Sequence, residues 1–329
     1  MFDILYCHIG AGKTGTSSIQ GTFFRNREPL AAQGIYNFRW PIQNVLSGIV
    51  DRTDKLIPLK GPEQQKIDWL ERFDHFKGEL REAADDTSRP IAFFSTEHCL
   101  SLEEADVVRL KDYFAEYARE TKILYYARHP LSLIPSNIQQ WIKTGHALLP
   151  EDPTNMMPRF GRELKNWITV FGKDNIEIRK FEPWNMRDGS AIADICEAIG
   201  RPDLYPLLKI HQVNESLSGP ATLIADQLNR QLHAGEVGYA QRDYLYGVKG
   251  PKYGIDVAVF EKHRAKIDAN LAYLEQTFGI SLEEPQVKPH TDDRNDMFSD
   301  DVLASIARVM NAQQMRIEEL EKKLKIEEG

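Results

Sequence analysis

The chain has 329 residues, 42% of them hydrophobic and 27% charged, which is enough apolar material for one large α/β domain or two smaller ones. Lys and Arg total 41 against 49 Asp and Glu, a formal net charge of −8, which argues against nucleic acid as the main partner. An anionic ligand would have to be held by a local cluster of positive groups.

The three cysteines, Cys7, Cys99 and Cys196, form no C-x-x-C pair and read as buried thiols of a reducing compartment, outside any disulfide framework or zinc site. The N-terminus has no basic segment, and no apolar run approaches the roughly 20 residues of a membrane span, so a soluble, cytoplasmic protein is expected.

In chain order, the apolar run Ile4–Ile9 predicts a first strand, followed by a glycine-rich turn and a helix from Ser17 to Arg25. Residues 41–66, rich in Pro, Gly, Gln and charge, read as an irregular excursion. Ile91–Ser95 is the next strand, and Glu104–Thr121 carries Val107, Val108, Leu110, Tyr113, Phe114 and Tyr117 at helical spacing. Lys122–Ala127 is a third strand, Arg159–Phe171 a helix, and Ile176–Phe181 a fourth strand. Near-continuous hydrophobicity suits strands buried on both faces. Their alternation with helices predicts an α/β fold with a central parallel sheet flanked by helices. A second loop-rich region spans about 233–256, and 283–300 reads as a polar, acidic linker.

Beyond it, Leu303, Met310, Ile317 and Leu324 recur every seven residues, with Ile306, Gln313 and Leu320 between them. This is an amphipathic helix over 301–329. Two readings stay open: packing against its own domain, or a short coiled coil with a partner or a second copy.

The most informative stretch is Gly10-Ala11-Gly12-Lys13-Thr14-Gly15-Thr16-Ser17-Ser18-Ile19-Gln20, set between a strand and a helix. Small residues let backbone N–H groups converge on an anion, the helix N-terminus adds partial positive charge, and Lys13 with the hydroxyls completes the cradle. It is no Walker A loop, because the glycine needed five residues before the Gly-Lys pair is Cys7.

Lys13-Thr14-Gly15-Thr16-Ser17 resembles the K-[ST]-G-T-[ST] loop of sulfotransferases that use 3′-phosphoadenosine-5′-phosphosulfate (PAPS), in particular bacterial members. A second element fits the same family: Arg128 at the end of a strand and Ser136 eight residues later on the next helix. The resemblance implies a three-layer, P-loop-NTPase-like sulfotransferase domain over 1–282. It implies that Gly12, Lys13, Thr14, Gly15, Thr16 and Ser17 hold the 5′-phosphosulfate, and that Arg128 and Ser136 hold the 3′-phosphate. Arg179-Lys180-Phe181-Glu182, Asn214 to Ser218 and Asn270 to Leu274 also look like segments of the family. Phe181 would lie near the adenine, for which Ser18 stands where cytosolic members carry a stacking Trp. Lys249-Gly250-Pro251-Lys252 loosely echoes a closing loop.

Sulfuryl transfer to an acceptor hydroxyl, on a small molecule or a glycan, would then need no metal. Lys13 would neutralise the leaving oxygen. Glu97, after the second strand, is the first choice of general base and His98 the second, while His8 reads as a packed, hydrogen-bonded histidine. Trp40, Trp141 and Trp184 offer faces for a sugar, though burial is the expectation for each. A small-molecule kinase and a non-catalytic scaffold are the rival functions.

Overall fold

The computed structural model of the protein describes residues 1–38, 46, 48–49, 63–146, 152–211, 216–231, 244–285 and 298–327. Trp40, Asn214, Glu215, residues 232–243, most of the excursion 41–66 and residues 286–297 of the expected linker lie outside them.

Contacts divide the chain into two compact units. The first, Met1–His129, Pro158–Asn214 and Ala269–Glu283, holds the sheet. Its strands are β1 (Phe2–His8), β2 (Ile35–Asn37), β3 (Ile91–Ser95), β4 (Ala118–Ala127) and β5 (Ile176–Lys180). All pair in parallel, in the order β2-β3-β1-β4-β5, with Cys7 opposite Phe94 on one side and Ile123 on the other. The period of two sorts their side chains between two cores. Leu5, Cys7, Ala92, Phe94, Ile123 and Tyr125 face one. There they meet Phe76 and Leu80 of α3 (Glu63–Asp85), Leu110 and Phe114 of α4 (Glu104–Ala115), and Leu164 and Trp167 of α6 (Phe160–Phe171). Phe93, Leu124 and Tyr126 face the other, with Ile19 and Phe23 of α1 (Thr16–Arg25), Leu30 of α2 (Arg27–Ala32), and Ile192 and Ile195 of α7 (Ala191–Ala198). The expected sheet with helices on both faces is therefore present.

Three details depart from the sequence expectation. The helix expected to run to Thr121 stops at Ala115, and residues 118–121 open β4, where Ala118 pairs with Phe2 and Glu120 with Ile4. Ladder bonds to β1 outweigh the helical spacing there. The short edge strand β2 was not anticipated, because three residues carry no readable period. Trp141 and Trp184 are exposed rather than buried. Trp184 sits in a turn after β5 with its indole N–H donating to Glu283 (2.9 Å), and Trp141 stacks on the His146 ring at 3.8 Å rather than on a core. All three cysteines are buried, as expected.

The second unit, Pro130–Met157, Glu215–Asp268 and Glu284–Gly329, is helical. It contains α5 (Pro130–Lys143), α8 (Gly219–Gln231), α9 (Val257–Glu261), the start of α10 (Arg264–Phe278) and α11 (Asp300–Glu327). Buried amides tie it together: Gln139 donates to the Leu217 carbonyl and the Thr222 hydroxyl, and Asn229 to the carbonyls of Ile142 and His146. Among the described residues no helix is long and apolar enough to cross a membrane.

Phe94 is fully buried, edge-on to Phe38 and Phe114 at 5.0 and 5.4 Å. Phe94→Ala is expected to lower unfolding free energy by about 3–5 kcal/mol in urea titrations. Val108→Ala, on the exposed side of α4, should change it by less than about 0.5 kcal/mol.

Candidate functional site

The strand order reverses on either side of β1, which places a crevice at the carboxyl ends of β1, β3 and β4, where open α/β sheets bind ligands. The loop after β1 lies there because the ladder continues past the strand ends. Ile9 N–H donates to the Leu124 carbonyl, Ala11 N–H to the Tyr126 carbonyl, and Tyr126 N–H to the Gly10 carbonyl. The chain then turns through Lys13 and Gly15, both in the left-handed region (φ 60° and 80°), and enters α1. Glycine is required at position 15 on two counts. Its φ is positive, and a Cβ would lie 3.1 Å from the Ala191 Cβ and 3.5 Å from the Phe181 ring.

Thr14 and Thr16 are buried, and both hydroxyls donate to the Ala11 carbonyl, at 2.6 and 3.1 Å. They brace the loop internally. Ser17 is exposed in the first turn of α1, at a helix N-terminus whose dipole favours an anion.

Arg128 follows β4 directly and reaches the same loop. Its guanidinium donates to the Lys13 carbonyl at 2.7 Å and lies over the Phe181 ring, 5.5 Å from the centroid. Burial pulls its pKa down to about 10, which leaves it charged at neutral pH. Phe181, just past β5, thus touches both the loop and Arg128. The structure brings together Lys13, Thr14, Gly15, Thr16, Ser17, Arg128 and Phe181 on the edge of one unit. Ser136 lies on α5, in the other unit, half-buried.

The strand β3 delivers Glu97 and His98. Buried Thr96 caps the 3₁₀ turn Glu97–Ser101 by accepting from the His98 N–H, and both side chains are exposed. The Glu97 carboxylate oxygen Oε2 lies 3.4 Å from where a Cβ on Gly12 would sit. Gly12 therefore gives a carboxylate close access to the loop. Among the described residues no group of three or more His, Cys, Asp or Glu is placed to hold a metal ion.

Beneath the loop, His8 is fully buried. Its Nδ1 shares a 2.8 Å hydrogen bond with the Ser95 hydroxyl, its ring is edge-on to Tyr126, and Gln20 donates to the Ser95 carbonyl. Burial lowers its pKa to about 4, so it is a neutral packing group at pH 7, as its place in the first strand suggested. A second buried network, Tyr126 hydroxyl to Asp194 and Asp194 to the Arg179 guanidinium, fixes β4 and β5 to α7. Arg179 is thereby a structural residue. Buried Glu182 accepts from the Glu283 N–H and the Asn185 amide, holding the turn after Phe181.

No protein-family model and no curated protein matches the chain in sequence. Two solved structures share its general course: a sulfotransferase from Alicyclobacillus acidocaldarius (14% identity, TM-score 0.45, covering 84% of this chain and 96% of that one), and the sulfotransferase domain from the curacin biosynthetic pathway (14% identity, TM-score 0.43, covering 87% and 99%).

His8 gives the site a pH signature. In the unfolded chain an imidazole takes its proton near pH 6.5, whereas buried His8 resists until about pH 4, so falling pH favours the unfolded state across that window. The wild type should lose about 2 kcal/mol more stability than His8→Gln between pH 7.5 and pH 5, read from urea titrations at each pH.

Proposed function

We propose that the protein is a sulfotransferase that moves the sulfuryl group of PAPS onto an acceptor hydroxyl and releases 3′-phosphoadenosine 5′-phosphate. One observation carries this reading. A braced strand–loop–helix cradle containing Lys13 meets a half-buried, charged Arg128 with an aromatic ring, Phe181, beside it. That is the set of groups a bisphosphorylated adenosine asks for: donors for two anionic ends and an apolar face for a base.

In this reading the loop amides, the Ser17 hydroxyl and the Lys13 ammonium hold the 5′-phosphosulfate, with Gly12 and Gly15 giving close backbone approach and Thr14 and Thr16 keeping the loop in shape. Arg128 takes the 3′-phosphate, the role that the family resemblance also implies for Ser136. The acceptor oxygen attacks sulfur in line, and the bond from sulfur to the bridging 5′-phosphate oxygen breaks. The acceptor proton passes to a base, and the charge left on the bridging oxygen is neutralised by Lys13. Glu97 is assigned as that base because its carboxylate lies against Gly12, and its neighbour His98 is the second candidate. The acceptor is a hydroxyl of a small molecule or a saccharide.

The decisive experiment combines a labelled-PAPS transfer assay across saccharide, lipid and phenolic acceptors with thermal shifts. Stabilisation by 3′-phosphoadenosine 5′-phosphate and none by ATP with magnesium is the expected result, and the reverse would assign a kinase. Lys13→Ala is expected to keep the fold and lower kcat by roughly 100- to 1,000-fold. A near-normal turnover would sink the assignment.

Arg128→Ala should weaken 3′-phosphoadenosine 5′-phosphate by roughly 10- to 100-fold and an analogue without the 3′-phosphate far less. Equal losses for both ligands would leave Arg128 only its loop contact.

A further inference from the structure

The terminal helix α11 carries an apolar seam that the described residues of its own unit leave exposed. Its first turns are anchored on one side: Val302 and Ser305 are buried, the Ser305 hydroxyl accepts from the Lys249 N–H at 3.0 Å, and Gly247 lets the Val309 side chain approach. In a heptad that starts with Leu303 at a, those three residues occupy g, c and g, the same flank of the helix. The seam itself turns away from that flank. Leu303, Met310 and Ile317 at a are 50%, 67% and 49% exposed, and Leu320 at d is 51% exposed. Met315, at f, is also exposed, but the other four open apolar residues of this 28-residue helix fall on one seam, which is costly in water and marks a covered face.

We propose that a second copy of this chain covers it, forming a parallel, in-register two-stranded coiled coil along α11. Three features of the helix select this occupant. The repeat is seven residues from Leu303 through Leu324, the 3.5-residue period that winds two helices into a left-handed supercoil, whereas packing on a globular core follows 3.6. Ile317 at a followed by Leu320 at d, beyond the anchored first turns where Leu303 and Ile306 stand in the reverse order, is the pairing that favours two strands, and Gln313, a polar residue at d, penalises shifted registers.

Charge sets the direction. The g positions 316 and 323 are Arg and Lys and the e position 321 is Glu, so parallel pairing sets Arg316 of each copy toward position 321 of the other. Antiparallel pairing would instead set the g-position cations against each other. The helix is thus complementary to itself, and no different protein is needed. The Gln314–Glu318 and Lys323–Glu319 pairs, four residues apart, run along the helix surface and add to its own stability.

The native thiols are all buried, so an introduced cysteine reports the seam directly. In the full-length chain, Met310→Cys at a should form an interchain disulfide on mild oxidation with oxidised glutathione, and Arg308→Cys, at the outward f position, should do so at least roughly tenfold more slowly. Sedimentation should give a dimer mass for the wild type and a monomer mass for an Ile317→Lys, Leu320→Lys double variant. A monomeric wild type at tens of micromolar, a dimer that Met310→Cys fails to cross-link, or equal cross-linking of the two cysteine variants would each overturn the proposal.

Discussion

The sheet does not end where its strands end, and the arrangement of the candidate site follows from that. Hydrogen bonds between β1 and β4 continue beyond His8 through Ile9, Gly10 and Ala11, and these pairings hold the start of the loop against the last residues of β4. Arg128 emerges one residue after that strand, so its guanidinium is already beside the Lys13 carbonyl. The cation is positioned by backbone pairing deep in the fold, with Phe181, just past β5, supplying the next wall. A single register therefore sets the spacing of the loop, the guanidinium and the ring.

Much of this frame was legible because it depends on local chemistry. Continuous apolar runs marked β1, β3, β4 and β5, and a glycine-rich turn between a strand and a helix can be read from residue type alone. The misplaced boundary at 116–121 shows where that reading stops. Arg119, Glu120 and Thr121 look helical or indifferent in sequence, and only pairing with β1 makes them strand. The inward turn of the Thr14 and Thr16 hydroxyls was equally invisible, since it depends on contacts chosen by the folded chain. Trp141 and Trp184 escaped burial for the same reason: an imidazole and a carboxylate, remote in any hydropathy count, satisfy them at the surface.

The charge pattern gains meaning beside this geometry. A net charge of −8 would repel a polyanion over most of the surface. Lys13, the α1 N-terminus and Arg128 form a local exception, and the partly desolvated setting of Arg128 strengthens its attraction for an anion. Glu97 beside the loop adds an opposing charge where a proton could be accepted. In the proposed reading, preference for a small anion over a nucleic acid arises from confinement of positive charge rather than from its total.

The two threonine hydroxyls turned onto the Ala11 carbonyl carry one more consequence. A loop held by its own side chains keeps its shape without an incoming anion, so little conformational entropy is lost on capture. In the proposed reading such a cradle is a rigid socket, and the speed of filling it would be governed by diffusion and field rather than by folding of the loop around its guest.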